Sequence, residues 1–393
     1  MVNRLTAFGR DLSVSAVVAG FVAMLVGVTS SIVVVFQAAQ ALGADAAQVT
    51  SWIWATCVGT GLTSLGLSLW YRRPVLTAWS TPGAAMLVSA AAGVTLPEAI
   101  GGFVVSALLI ALSGATGLFA RVMDRIPQPL AAGLLGGVLA RFALDAFAAM
   151  PGDPLLVGSM FLAYLLGRRL WPRYAVPGVL LVGLLVAAGT GRMHLEAVDW
   201  RLGAPVWMAP EFTWRGLFSV ALPLFVVTMA SQNLPGVAAQ KAAGYDTPVS
   251  PVIATTGVAT LLLAPFGGYA LNLAAITASI CMSREAHEDP ARRWTSSVMA
   301  GLFYLAVGLA AGAVAGLLGA FPKAMVLAVA GFALLGTIGG GLAAAMGDLT
   351  WREPALVTFL VTLSGLSMAG IGSAFWGVVA GTLCVAVMRL RAG

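Results

Sequence analysis

Apolar residues in this chain neither alternate nor gather on one face of a helical repeat. They fill whole blocks, each close to the roughly 20 residues that a membrane span needs. Such blocks occupy 13–40, 46–70, 75–92, 97–120, 128–149, 154–171 and 174–191, then 215–240, 249–265, 267–283, 293–319, 322–346, 354–370 and 372–390. Helices that are apolar all round are buried in lipid or in one another. The expected fold class is therefore an all-α polytopic membrane protein with about fourteen transmembrane segments. The last two blocks are short and meet at Gly370-Ile371-Gly372, which leaves a shallow hairpin open beside two full spans.

The third block is interrupted. Within Val75-Leu76-Thr77-Ala78-Trp79-Ser80-Thr81-Pro82-Gly83-Ala84-Ala85-Met86, Thr81-Pro82 reads as a helix start: a hydroxyl to cap, then a proline whose missing N–H costs nothing in the first turn. A helix that starts inside the bilayer aims unsatisfied N–H groups and a partial positive charge at whatever lies ahead of it. Irregular backbone at that depth is tolerated only where it is buried in protein or lines a cavity. An anion or polar ligand at the midplane is the expectation, and a plain proline kink held by neighbouring helices is the alternative.

The longest connection, from Arg192 to Arg215, falls near the middle of the chain. It divides the sequence into residues 1–192 and 215–393, with a linker over 193–214. The third block of the second half is broken as well, at Pro265-Phe266-Gly267-Gly268-Tyr269-Ala270-Leu271-Asn272-Leu273-Ala274-Ala275-Ile276-Thr277, where Asn272 stands ready to cap a half-helix. The first block of each half ends alike, in Ala38-Ala39-Gln40 and Ala238-Ala239-Gln240. An odd number of spans per half forces the two copies into opposite orientations, so a 7+7 inverted repeat is expected.

Composition agrees: 60% of the residues are hydrophobic and 9% charged, where a soluble chain carries about 25% charged residues. Of the 21 basic residues, sixteen fall in loops on the side of the two termini: Arg4, Arg10, Arg72, Arg73, Arg121, Arg125, Arg168, Arg169, Arg173, Lys241, Arg284, Arg292, Arg293, Arg352, Arg389 and Arg391. The opposite side holds Arg192, Arg201, Arg215 and Lys323, and Arg141 lies within a span. The positive-inside rule then places both termini in the cytoplasm and the chain in the cytoplasmic membrane. It also reads the net charge of +6 as topology rather than as a nucleic-acid footprint. Met1–Arg10 is polar, so no cleavable leader is expected. Cys57, Cys281 and Cys384 stand singly in apolar blocks, and His194 and His287 sit in different loops. Neither a metal site nor a cofactor is expected, and no enzymatic constellation is present.

Leu76-Thr77-Ala78-Trp79-Ser80-Thr81-Pro82-Gly83-Ala84-Ala85 closely resembles the benzoate/proton symporter (BenE) family. Pro223-Leu224-Phe225-Val226-Val227-Thr228-Met229-Ala230-Ser231-Gln232-Asn233-Leu234-Pro235-Gly236 and the stretch from Pro265 to Thr277 are similar to it too, so the resemblance spans essentially the whole chain. More distantly the pattern is similar to nucleobase/ascorbate and sulfate-type transporters. The resemblance implies a core domain from segments 1–4 and 8–11, a gate domain from segments 5–7 and 12–14, and a short strand ahead of each half-helix in segments 3 and 10. It further implies proton-coupled uptake of benzoate or a similar aromatic carboxylate held between the half-helices, and suggests a homodimer. Another anion or a nucleobase as cargo, or an uncoupled anion channel, are the alternatives.

On this reading Ser80, Thr81 and the N–H groups of Gly83 and Ala84 form one wall of the site, and Asn272, Leu273 and Ala274 the other. Gln232, in the polar centre of segment 8, either contacts substrate or acts as interhelical glue. The resemblance to nucleobase transporters places carboxylates near Gln232 and Leu271. A donor and an apolar side chain there suit an anion that offers no N–H. Trp79 and Tyr269 precede the half-helices and are equally candidates for ring contact or for packing. Arg141 and Asp145 share a helix face at i, i+4. Asp145 is a candidate proton carrier, against a self-neutralising pair as the alternative. Glu98 reads as a first-turn acid complementing a helix dipole, and Glu285, His287, Glu288 and Asp289 as a solvated loop.

Overall fold

The structure is a computed structural model that describes residues 2–117, 127–193, 202–284, 286–366, 368 and 373–390. Arg121, Arg125, His194, Arg201, Glu285, the Gly370-Ile371-Gly372 turn and Arg391 lie outside the described residues.

Helices dominate. The chain begins with α1 (Val2–Asp11), α2 (Val14–Ala41), α3 (Ala46–Tyr71), strand β1 (Thr77–Trp79), α4 (Thr81–Ala90) and α5 (Leu96–Ala115). It continues through α6 (Gln128–Ala149), α7 (Pro154–Leu170) and α8 (Ala175–Gly189). Past an extended stretch come α9 (214–242), α10 (Val249–Leu263), strand β2 (Leu271–Leu273) and α11 (Ile276–Met282). The chain closes with α12 (Trp294–Leu309), α13 (Ala311–Ala320), α14 (Lys323–Gly347), α15 (Arg352–Leu363) and α16 (Ser373–Leu390). Among the described residues six helices are long and apolar enough to cross a membrane, or seven with α12 and α13 taken as one bent span.

Side chains set several helix starts. Asp45 and Gln48 form a capping box at α3, and Thr95 and Glu98 another at α5. Glu98 also accepts from the Thr213 hydroxyl at 2.9 Å, so this acid ties α5 to the start of α9. The polar stretch ahead of the first apolar block contributes the ten-residue helix α1, Val2–Asp11.

Segment 8, read as a plain span, contains two π-helical stretches, Leu217–Ala221 and Met229–Asn233. Each precedes a proline, Pro223 or Pro235, which has no N–H for the carbonyl one turn back, and the widened turn absorbs the gap. The expected single segment over 293–319 is also broken, with α12 and α13 meeting at 67°. At that bend the Gly203 N–H donates to the Leu309 carbonyl at 2.8 Å. An external donor has entered the helical ladder, a recognised cause of a kink.

Packing repeats itself between the two parts of the chain. α3 lies along α12, and α10 lies along α5; α2 packs on α12, and α9 on α5; α7 pairs with α8, and α15 with α16. Glycines permit the closest approaches. A Cβ on Gly61 of α3 would fall 2.8 Å from the Gly301 carbonyl of α12, and one on Gly301 equally close to Gly61. In the second pair Gly114 of α5 meets the Ala254 backbone, and Gly257 of α10 meets Ala111. Small residues are the usual means by which membrane helices bring their backbones together. α6 and α14 pack along each other, with α15 on α6.

Between these layers β1 and β2 pair antiparallel, with Thr77 opposite Leu273, Ala78 opposite Asn272 and Trp79 opposite Leu271. The neighbouring helices satisfy several of the strands' remaining polar groups. The Thr77 hydroxyl lies 2.6 Å from that of Thr63 and 2.8 Å from that of Ser64 on α3. The Thr260 hydroxyl on α10 accepts the Leu271 N–H at 3.0 Å. The stretch over 202–212 crosses one end of this assembly. Its Val206 N–H donates to Ser51, Met208 to the Pro265 carbonyl and Glu211 to the Pro97 carbonyl.

Candidate functional site

A cavity of about 1050 Å³ opens where the two interrupted segments face α6, α7 and α14. Trp79, Thr81 and Pro82 line it from the first break, and Ala274 to Thr277 with Ser279, Ile280 and Ser283 from the second. Ala230, Ser231 and Gln232 of α9 close one side, with Gly27 and Tyr304 behind them. The opposite wall consists of small and apolar residues of α6 and α14, together with Tyr164 and Arg168 of α7. Most of this surface is hydrocarbon, with few polar groups, a pattern that suits a small organic ligand.

The two walls are built differently. In the first, Ser80 is the N-cap of α4 and its hydroxyl accepts the Gly83 N–H at 3.1 Å. The Ala84 N–H donates to the Ser80 carbonyl at 2.9 Å. The expected free donors on Gly83 and Ala84 are thus already engaged, and Ser80 is fully buried behind the cavity surface. Thr81 and the indole of Trp79 remain at the cavity. The Trp79 ring packs edge-on against Tyr304 at 5.8 Å, and its N–H is buried with no partner among the described residues.

In the second wall Asn272 caps nothing: it is a residue of β2, and its amide donates to the Ala270 carbonyl at 2.9 Å. The helix start comes later, at Ile276, with Ala275 as an N-cap that makes no side-chain hydrogen bond. The Ser279 N–H is the first in α11 to bond back, to the Ala275 carbonyl at 3.1 Å. Leu271, Leu273 and Tyr269 are buried and absent from the cavity wall. Tyr269 packs between Trp52 and Phe103, with ring centroids 5.9 Å and 5.6 Å away. The backbone at Ala270 has φ of 41°, a strained left-handed value for a residue with a side chain.

Gln232 and Asn233 separate two roles within one π-helical turn. Gln232 lines the cavity. Asn233 is fully buried, and its Oδ1 accepts the Leu273 N–H at 2.9 Å, fixing β2 to α9. Arg141 and Asp145 are exposed on the outer face of α6 and take no part in the cavity wall. His287, Glu288 and Asp289 form a loop in which the Asp289 N–H donates to His287 Nδ1 at 3.0 Å. Sequence reasoning missed Tyr304, Tyr164 and Arg168 as cavity residues. The two tyrosines carried no motif, and Arg168 had been accounted for as loop charge.

A family model for benzoate membrane transport proteins matches residues 10–387. The Escherichia coli (strain K12) inner membrane protein YdcO is 50% identical over 374 residues, covering 95% of this chain and 96% of its own. A benzoate membrane transport protein of Acinetobacter baylyi is 40% identical over 388 residues, covering 99% and 98%. Among solved structures, SLC26A9 aligns with a TM-score of 0.65 at 12% identity over 95% of this chain, which spans 65% of that longer protein. The transmembrane domain of the cyanobacterial bicarbonate transporter BicA aligns with a TM-score of 0.59 at 13% identity, covering 95% and 98%. At those identities the likeness is one of fold.

Proposed function

The chain belongs to the benzoate membrane transport protein family, a family of membrane transporters and not of enzymes, and from that premise we propose that it imports benzoate or a similar aromatic carboxylate together with a proton. The observation that carries this reading is the cavity of about 1050 Å³ between the two broken segments. Its apolar wall matches an aromatic ring, and its few donors match one carboxylate. Trp79, Thr81 and Gln232 face the ligand. Ser80, Gly83 and Ala84 hold one wall in place, and Tyr269, Leu271, Asn272 and Leu273 the other.

Fourteen segments in a 7+7 inverted repeat form the architecture of this proposal. The exchange of helix pairs, α3 with α12 against α10 with α5, supports it, as does the antiparallel pairing of the two strands. Segments 1–4 and 8–11 form the core, and segments 5–7 and 12–14 the gate. The cavity lies between them, so motion of one against the other would carry the site across the bilayer. The protein is a multi-pass inner-membrane protein with cytoplasmic termini and pairs as a homodimer through its gate domains.

Asp145 lies outside the cavity, and the described lining residues include no carboxylate and no imidazole. That placement argues against Asp145 as the carrier of the coupled proton. Uptake of radiolabelled benzoate into proteoliposomes under an inward proton gradient tests the reading, with protein-free vesicles as control because neutral benzoic acid crosses lipid unaided. Protein-dependent accumulation that a protonophore abolishes is the expected result. Gradient-independent flux would make the protein a channel, and transport of other anions alone would remove the aromatic cargo.

A further inference from the structure

Among the described residues that line the cavity, Arg168 is the one charged side chain. It sits in the last turn of α7 beside Arg169. Cations at a helix C-terminus and in a cytoplasmic loop have ordinary explanations in the helix dipole and in topology. Those explanations cover both arginines equally, yet Arg168 lines the cavity and Arg169 does not. The Arg168 guanidinium reaches across to α14, where a Cβ built on Gly336 would stand 3.8 Å from both of its terminal nitrogens. The ion pairs seen among the described residues are Arg10–Asp11, Arg192–Asp153 and Arg292–Asp289, so no carboxylate there neutralises Arg168.

One turn earlier on the same helix, Tyr164 also lines the cavity. Residues four apart share a helix face, so ring and guanidinium stand side by side. Tyr164 is held from behind by Phe332, at 6.1 Å and an interplanar angle of 31°. An aromatic surface next to a planar, forked cation complements an aromatic ring bearing a carboxylate, which a guanidinium can engage through two parallel hydrogen bonds.

We propose that Arg168 is a specificity-determining residue of the transport site, pairing with the substrate carboxylate from the α7 wall while Tyr164 flanks the ring. This rests on the reading of the cavity as an aromatic-carboxylate site. It adds a residue outside both broken segments, on the opposite wall. It also assigns Arg168 a task distinct from that of its neighbour Arg169.

The test is equilibrium binding of radiolabelled benzoate to the purified full-length protein, with unlabelled benzoate and its uncharged isostere benzamide as competitors. Wild type, R168Q, R168K and R169Q are compared. Because Arg168 is exposed and screened, R168Q is expected to weaken benzoate binding by about five- to tenfold and to leave benzamide competition unchanged. R168K should recover part of the preference for benzoate, and R169Q should match wild type. Added salt should lower the benzoate preference of wild type more than that of R168Q. An unchanged benzoate-to-benzamide ratio in R168Q, or an equal loss in R169Q, overturns the assignment. Should R168Q not fold, the salt response of wild type decides, and a ratio insensitive to salt overturns it. Absence of benzoate binding by wild type would instead remove the transport reading itself.

Discussion

The two interrupted segments share a topology and differ in chemistry. In the first, a serine hydroxyl and carbonyl engage the opening N–H groups of α4, and a proline removes another, so the helix start is satisfied within itself. In the second, α11 runs only seven residues and begins without a side-chain cap. Its strand is held from outside by Asn233 and Thr260. One break is a finished wall, whereas the other depends on its neighbours for order and leaves its first turn open toward the cavity. The two breaks thus make one rigid face and one receptive one.

The largest effect should come from the turn ahead of β2. Gly267 has φ of 88°, and a Cβ there would collide with Trp52. Gly267→Ala is expected to cost about 2–5 kcal/mol from strain and overpacking together, read as loss of monodisperse protein on size exclusion. Next, Asn233→Leu removes the acceptor of the buried Leu273 N–H and should cost about 1–3 kcal/mol. Thermal melting in detergent would check it, and an unchanged midpoint would show that β2 does not depend on α9.

A smaller contrast separates the walls directly. Ser80→Ala should lower stability by about 1 kcal/mol through loss of the cap, with a modest change in benzoate affinity. Gln232→Leu should weaken binding by about tenfold, as for a lost hydrogen bond to a charged group, while leaving the melting temperature in place. The reverse pattern would exchange the roles of wall and ligand contact. The smallest effect is expected outside both breaks: Asp145→Asn should leave the proton-to-benzoate ratio of uptake unchanged, as measured by paired pH-dye and isotope fluxes.

The helix bounds were legible in the sequence because apolar blocks mark them, and most fall within a few residues of the blocks read. Thr81-Pro82 announced α4 for the same local reason. What stayed hidden is set by partners distant in sequence. The π-helical turn that separates Gln232 from Asn233 is one case. The bend at Leu309, created by Gly203, is another. Asn272 looked like a cap because caps are read from the residues that follow. The strand that claims it is specified by Ala78, nearly two hundred positions earlier. Arg168 was legible as a charge and illegible as a cavity residue, since topology had already accounted for it.

The pairing of β1 with β2 also sets a timetable. The strand Thr77–Trp79 is made long before Leu271–Leu273, the strand that completes its backbone bonding. At translation rates of about 5–20 residues per second, the interval is roughly 10–40 s. Through that time the first half sits in the membrane with an open strand edge, a backbone that lipid cannot satisfy. Biogenesis of this protein therefore includes a waiting period, during which the insertion machinery, water or a neighbouring helix must shelter three residues until their partner arrives.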